Sequence, residues 1–266
     1  MPAFSRPLAD CPDAALAAVA GVLTDIDDTL TTDGRLEPDA YAALWALHRA
    51  GLHVVPVTGR SAGWAHMILK TWPVGAVVAE SGGLYLWRDG ATGRVEQVFH
   101  DDPARVAADR ARLADCAAAV LQAVPGLAPA SDNAFRRVDL ALDYCEEVPR
   151  VAPDAVARAE ALFRAAGFSA RSSSVHVNAW AGRFDKAPMA LRCLAERFAH
   201  CADPSSWAFI GDAPNDASMF AAFVHGVGVA NVLDHGTALT PLPRYVTAAR
   251  SGAGFAEFAR HVLAAR

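Results

Sequence analysis

The fold class predicted here is α/β: a parallel sheet between helices, with a separate α+β unit inserted into it. Three observations predict it. Short apolar runs alternate with segments of helical period over residues 19–79, the alternation lapses at about Leu84, and it resumes after Lys186. The chain of 266 residues thereby divides into a discontinuous core, 1–84 and 182–266, and an inserted unit, 85–181. Hydrophobic residues at 53% and charged residues at 20% are enough to pack both.

Each element has a local reason. Residues 19–26 are apolar apart from Thr24 and Asp25 and lead into carboxylates, as a buried parallel strand opening onto a loop would. Residues 38–50 place Tyr41, Leu44, Trp45 and Leu47 at helical spacing and stop at Gly51, where a C-terminal cap belongs. A strand over 52–57, a helix over 61–70 and a strand over 75–79 follow. The inserted unit reads as a hairpin, 84–87 and 95–99, about Asp89-Gly90, then a helix over 103–123 and a strand over 136–143. A helix over 154–166 ends at Gly167, and 175–180 alternates as a strand. Beyond Lys186 come a helix to about residue 200, a strand over 207–210, a helix after Asp216, short strands at 227–229 and 245–246, and a last helix from Gly254.

Charge narrows the partners. With 24 Lys plus Arg against 29 Asp plus Glu, the net charge of −5 gives no reason to expect a nucleic acid or an anionic membrane. The longest apolar stretch, 14–23, is half the roughly 20 residues of a membrane-spanning helix, and Arg6 alone flanks it, which makes a poor secretory signal. Five cysteines (Cys11, Cys116, Cys145, Cys193, Cys201), odd in number and never as C-x-x-C, suit reduced thiols in a cytoplasmic protein. Lys70 and Lys186 are the only lysines.

Four segments could carry chemistry. The most informative is Asp25-Ile26-Asp27-Asp28-Thr29, at the end of the first strand. Strand alternation sends Asp25 and Asp27 to the same side, and two ionised carboxylates so close require a cation, with Mg²⁺ favoured by hard oxygen ligands. Taken alone, such a loop also reads as a solvated acidic turn. Gly211-Asp212-Ala213-Pro214-Asn215-Asp216 likewise follows an apolar strand, and in open α/β sheets loops beyond the strand ends converge on ligands. Its ordinary reading is a helix cap at Asn215 or Asp216. Thr58-Gly59 ends the second strand with a hydroxyl and an unhindered N–H, suited to a phosphate oxygen or to a plain turn. Lys186, at the return to the core, offers a compact ammonium for a phosphoryl oxygen, whereas Lys70 reads as a surface dipole partner.

In this order the four segments resemble the haloacid dehalogenase-like phosphohydrolases. The matching residues are D-x-D-x-T (Asp25, Asp27, Thr29), the strand-end Thr58, Lys186, and G-D-x-x-N-D (Gly211, Asp212, Asn215, Asp216). The insertion between the second and third motifs is similar to that of the branch holding Cof-like, sucrose-phosphate, trehalose-phosphate and mannosylphosphoglycerate phosphatases, as are Gly228-Val229-Ala230-Asn231-Val232 and Tyr245-Val246-Thr247. One departure stands out: Glu80-Ser81-Gly82-Gly83 occupies the place of the usual Asn-Gly after the third strand.

The resemblance implies a Rossmann-like core with a substrate-reading cap, and a Mg²⁺-dependent phosphomonoesterase acting on a small phosphorylated metabolite, a sugar phosphate first. It implies Asp25 as nucleophile, and Asp27 as general acid and base that also lends a backbone carbonyl to Mg²⁺. Asp25 and Asp212 would hold the metal, Asp216 would hold or share that shell, and Thr58, Gly59, Lys186 and Asn215 would clamp the phosphoryl oxygens. In the cap, His176, Asn178 and Trp180 share one strand face suited to a sugar ring; the plain alternative packs Trp180 at the domain junction and leaves His176 and Asn178 exposed. Arg136, Arg137, Asp139 and Asp143 read as a solvated strand face. Competing functions are a phosphosugar mutase with the same nucleophile and a non-catalytic sugar-phosphate-binding regulator. Either a monomer or a homodimer is compatible with the sequence.

Overall fold

The computed structural model describes residues 5–173 and 175–266. In chain order its elements are β1 (Arg6–Pro7), α1 (Asp13–Ala17), β2 (Gly21–Thr24), α2 (Pro38–Arg49), β3 (His53–Pro56), α3 (Ala62–Thr71), β4 (Ala76–Ala79), β5 (Leu84–Arg88), β6 (Val95–Phe99), α4 (Pro103–Ala123) and β7 (Ala128–Pro129). They continue with β8 (Leu140–Asp143), α5 (Pro153–Ala165), β9 (Ser169–Ser172), β10 (His176–Trp180), α6 (Lys186–Arg197), β11 (Trp207–Gly211), α7 (Ala217–Ala222), β12 (His225–Gly228), β13 (Tyr245–Val246) and α8 (Ser251–Ala264).

Among these residues the core is a six-stranded parallel sheet ordered β1-β13-β12-β11-β2-β3. Its central strands β2 and β11 are buried on both faces, so successive side chains feed two separate layers. Val22, Val54, Ala208 and Ile210 pack with Leu16, Leu44, Leu47, Phe255 and Phe258 of α1, α2 and α8. Leu23, Val55, Trp207 and Phe209 pack with Ala190, Leu194, Met219 and Phe220 of α6 and α7.

The hairpin expected in the inserted unit lies elsewhere. β5 pairs antiparallel with β4 and with β6, and β4 runs beside β3 through a parallel bridge between Val57 and Val78 and the bond from Thr58 N–H to Val78 O, 2.9 Å. Strands 84–88 and 95–99 thus prolong the core layer, and a boundary at residue 85 cuts through a sheet. Alternation marks a hairpin but not the edge it joins.

The remaining insertion forms an antiparallel sheet, β7-β8-β10-β9. Val177 and Ala179 of β10 pack under α4 and α5 against Leu113, Val120, Ala159 and Phe163. The opposite face of β10 carries His176, Asn178 and Trp180, all buried, so the alternative with His176 and Asn178 exposed does not hold. The strand expected over 136–143 starts only at Leu140, because the N–H groups of Arg137, Val138 and Asp139 are taken by the Glu80 carboxylate instead of a ladder.

Candidate active site

The predicted site residues meet at the C-terminal ends of β2, β3 and β11. Asp25 follows β2 directly, and its N–H donates to Ile210 O at 2.9 Å, which ties it to the neighbouring strand. The chain then turns through Asp28 at φ 56°, a left-handed conformation that Asp tolerates better than most residues. The turn brings Thr29 Oγ1 to within 3.0 Å of Asp212 Oδ1, to which it donates. Asn231 holds the other oxygen of Asp212 through its Nδ2 at 3.1 Å and also donates to Asp28 O at 2.9 Å. Gly211 ends β11 because a Cβ there would lie 2.5 Å from Asp216 Oδ2. That oxygen accepts the N–H groups of Asp212 and Ala213 at 3.1 and 3.2 Å, folding the loop over the strand end.

Lys186 opens α6, where Asp185 caps the helix by accepting its N–H at 2.7 Å. Its Nζ donates to Asp216 Oδ1 at 2.7 Å and to Asp25 Oδ1 at 2.9 Å. Carboxylate oxygens of Asp25, Asp212 and Asp216 lie within 4.8 Å of one another, and all three residues are buried. Burial pushes the Asp25 carboxyl up to about 7, with Lys186 opposing and Asp216 and Asp27 adding. Burial, then Asp25 and Asp216, raise Asp212 as well. Burial alone would lower Lys186, yet Asp216 and Asp25 hold it above its ordinary range. Three crowded carboxylates against one ammonium leave room for a hard divalent cation, and an all-oxygen donor set fits one.

The Asp27 carboxylate stands apart from this set. It accepts from Arg60 Nε at 3.0 Å and Nη2 at 2.8 Å. Arg60 Nη2 also lies 2.8 Å from Glu146, whose other oxygen is 2.8 Å from His176 Nε2, so a chain of polar contacts joins Asp27 to the inserted unit. The His176 ring and Arg60 bring the Glu146 carboxyl down to about 2 against the effect of burial.

Thr58 is buried, and its Oγ1 accepts the Arg60 N–H at 3.0 Å. Gly59 O accepts from Arg136 Nη1 at 3.0 Å and from Asn178 Nδ2 at 3.4 Å, two side chains of the inserted unit. A niche of about 10 Å³ is walled by Asp25, Asp27, Gly59, Arg60 and Asn215 from below and by Ser173, His176 and Asn178 from above. Trp180 lines an adjoining niche with Lys186 and Asn215. Its buried indole N–H has no hydrogen-bond partner among the described residues, while its ring stacks on Phe184 with centroids 5.5 Å apart. Ser173 also borders a cleft of about 910 Å³ that runs past Asp212 between the two units.

Arg136, Asp139 and Asp143 are not the solvated face expected of them, since all three are buried; Arg137 is exposed. Arg136 donates to Asp132 at 2.9 and 3.1 Å and to Asp139 at 2.7 Å. Asp143 accepts the N–H groups of Cys145, Glu146 and Glu147, which shapes the loop presenting Glu146. Arg60, Glu146 and Asn231 complete the site and were not assigned there; Arg60, beside Thr58-Gly59, and Asn231, within Gly228-Val229-Ala230-Asn231-Val232, had a signal in their positions, and Glu146 had none.

No protein-family model matches the chain, and no curated protein matches its sequence. Solved structures do match. The C-terminal domain of the C. albicans trehalose-6-phosphate phosphatase has a TM-score of 0.69 at 13% identity, covering 98% of this chain and 99% of that one. The sucrose-phosphatase of Synechocystis sp., solved with sucrose and phosphate, has a TM-score of 0.64 at 18% identity over 92% of this chain and 98% of its own. A haloacid dehalogenase-like hydrolase from Bacteroides thetaiotaomicron has a TM-score of 0.64 at 15% identity over 92% and 99%. The fold of this chain, core and inserted unit together, is that of the haloacid dehalogenase-like hydrolases.

Proposed function

We propose that the chain is a Mg²⁺-dependent phosphomonoesterase that hydrolyses a small phosphorylated metabolite, a sugar phosphate, through an aspartyl phosphate on Asp25. The observation that carries this reading is the buried trio Asp25, Asp212 and Asp216 about Lys186, with Asp25 and Asp27 lining one niche. Asp25, Asp212, Asp216 and the Asp27 carbonyl would hold Mg²⁺, which when bound neutralises charge on the phosphoryl oxygens. An Asp25 oxygen attacks phosphorus, the bond to the leaving oxygen breaks, and Asp27, carrying the proton it took from water in the previous turnover, gives it to that oxygen. Asp27 then takes a proton from water as the water attacks phosphorus, which frees phosphate and regenerates Asp25. Lys186, Asn215 and the Thr58-Gly59 turn orient the phosphoryl group, and Arg60 holds the Asp27 carboxylate at the niche.

In this reading the core comprises residues 1 to about 99 and 182–266, and the cap runs from about 100 to 181. The cleft beyond Ser173 receives the leaving group. It is lined by six carboxylates (Asp28, Asp33, Glu37, Glu160, Asp212, Asp234) and two arginines (Arg150, Arg250), which favours an uncharged, hydroxyl-rich group over a second anion. From the cap side, His176, Asn178 and Trp180 line the niches over Asp25 and Lys186, where they would meet the substrate before the cleft. The five cysteines, odd in number and never as C-x-x-C, suit a reducing cytoplasm.

The test is a screen of phosphorylated metabolites for free phosphate, with Mg²⁺ and with EDTA. Mg²⁺-dependent release, greatest for a monophosphorylated sugar, is expected. Phosphoryl transfer to a second sugar hydroxyl without release would replace this reading by a mutase, and no turnover even of p-nitrophenyl phosphate would overturn it.

A further inference from the structure

We infer that His53, His200 and Cys201 form a second metal site, suited to a borderline late-transition ion of the Zn²⁺ type, at the opposite end of the core sheet from the carboxylate trio. His53 opens β3, whereas Thr58 and the trio lie beyond the strand ends. His200 and Cys201 sit in the turn Ala199–Cys201 that follows α6.

The geometry points to a shared ligand. The two Nε2 atoms are 3.4 Å apart. Two metal–nitrogen bonds of roughly 2.0–2.1 Å at the tetrahedral angle place their nitrogens about 3.3 Å apart. The Cys201 sulfur lies within 4.8 Å of a ring nitrogen of each histidine. A sulfur–nitrogen edge of a tetrahedral zinc site is about 3.6 Å, so the thiol closes in by at most about 1 Å, within reach of a χ1 adjustment.

The surroundings hold these groups in place. The His53 ring packs against both Phe198, with centroids 4.9 Å apart, and Trp207, nearly parallel at 6.2 Å, and these two rings also touch each other. Trp207 Nε1 donates to Cys201 O at 2.6 Å, and the Cys201 N–H donates to Phe198 O at 2.8 Å, so the two aromatics that fix the imidazole also fix the cysteine backbone. Burial, then His200 and His48, lower His53, which keeps its imidazole neutral and its lone pair available. Burial raises the Cys201 thiol, so binding exchanges its proton for the metal and releases it to solvent. His200 is exposed, which leaves an outward position for water.

This donor set, two imidazoles and a thiolate, selects against Mg²⁺ as surely as the all-oxygen trio selects for it. A bound ion would pin the end of α6 to the edge of β3, segments 147 residues apart in sequence. A direct His53–His200 hydrogen bond gives the same separation without a metal, and the experiment separates the two.

Full-length protein with saturating Mg²⁺, to fill the carboxylate trio, is titrated with Co²⁺ and followed by absorption. One equivalent of tetrahedral Co²⁺ with a thiolate charge-transfer band is expected, displaced by Zn²⁺ and weakened at least tenfold in both His200→Ala and Cys201→Ser. Zn²⁺ should raise the Tm of the wild type and leave that of both variants unmoved, with phosphate release from p-nitrophenyl phosphate unchanged. No thiolate band in the wild type, retention of the band in either variant, or a wild-type Tm indifferent to Zn²⁺, as a hydrogen bond alone would give, overturns the site.

Discussion

Beyond the strand ends, Asp25, Asp212 and Asp216 gather about Lys186; at the seam between core and cap, Glu80, Asp132 and Asp139 gather about Arg136. Each group is three buried carboxylates and one long cation, yet their wiring differs. Glu80 accepts backbone N–H groups from Ala62, Arg137, Val138 and Asp139 at 2.6–3.0 Å. Asp132 is gripped through both oxygens by Arg136, and Asp139 accepts from Arg136 and Asn178. In the trio, burial and repulsion from neighbouring carboxylates leave Asp25 and Asp212 raised; at the seam burial does the same to Asp139, while Asp132 is held below its ordinary range, against burial, by Arg136. A carboxylate filled by the chain's own donors builds the fold, and one left in want of positive charge is kept for a ligand.

The comparison breaks most severely at Asp25. Asp25→Asn should lower kcat for phosphate release by on the order of 10⁴-fold while the circular dichroism spectrum is retained. Near-normal turnover would remove Asp25 as the nucleophile. At the seam, Glu80→Ala should cost about 3–5 kcal/mol in urea unfolding, because four N–H groups, three of them in buried bonds, lose their acceptor. A loss under 1 kcal/mol would mean that water serves them equally well.

Asp139 is the seam's least compensated member, and pH exposes it. Burial pushes its carboxyl up to about 7 although Arg136 opposes this. Between the ordinary carboxylate range and pH 7 the folded state therefore binds the extra proton, so stability should fall as pH rises through that window and level off above it. The slope is at most about 1.4 kcal/mol per pH unit. Asp139→Asn should flatten its share of the curve in metal-free protein, and an unchanged slope would deny Asp139 that role. Smallest is the opposite sign expected in the trio. Without Mg²⁺, Asp212→Asn should raise stability by about 1 kcal/mol by relieving repulsion, read from the urea midpoint at constant m; destabilisation would show that the trio is already balanced.

The trio was legible in the sequence because each member follows an apolar strand, and parallel strands bring their ends to one edge. Thr29, which steadies Asp212, came with its motif. Glu80 was visible only as a departure from a pattern, since its partners are backbone amides up to 59 residues away that no side-chain pattern records. Arg136 and Asp139 looked solvated because charged residues in an alternating stretch are the mark of an outer face; here Gly59 O and Asn178 close over them. His53 and His200 gave no signal, being single residues at the ends of unrelated elements. The short β1, β7 and β9 lack the apolar runs by which strands are recognised.

The grip of Glu80 has a consequence for exchanging parts between relatives. Glu80 and Ser81 hold φ of 50° and 56°, and a Cβ on Gly82 would lie 2.1 Å from Asp185 O, so this turn is moulded to both the chain entering the cap and the chain leaving it. A chimera joined at residues 100 and 181 would carry the amides of Arg137, Val138 and Asp139 away from their acceptor. The cap of this chain is therefore not a cassette: its transplantable unit begins upstream, at the turn beneath it.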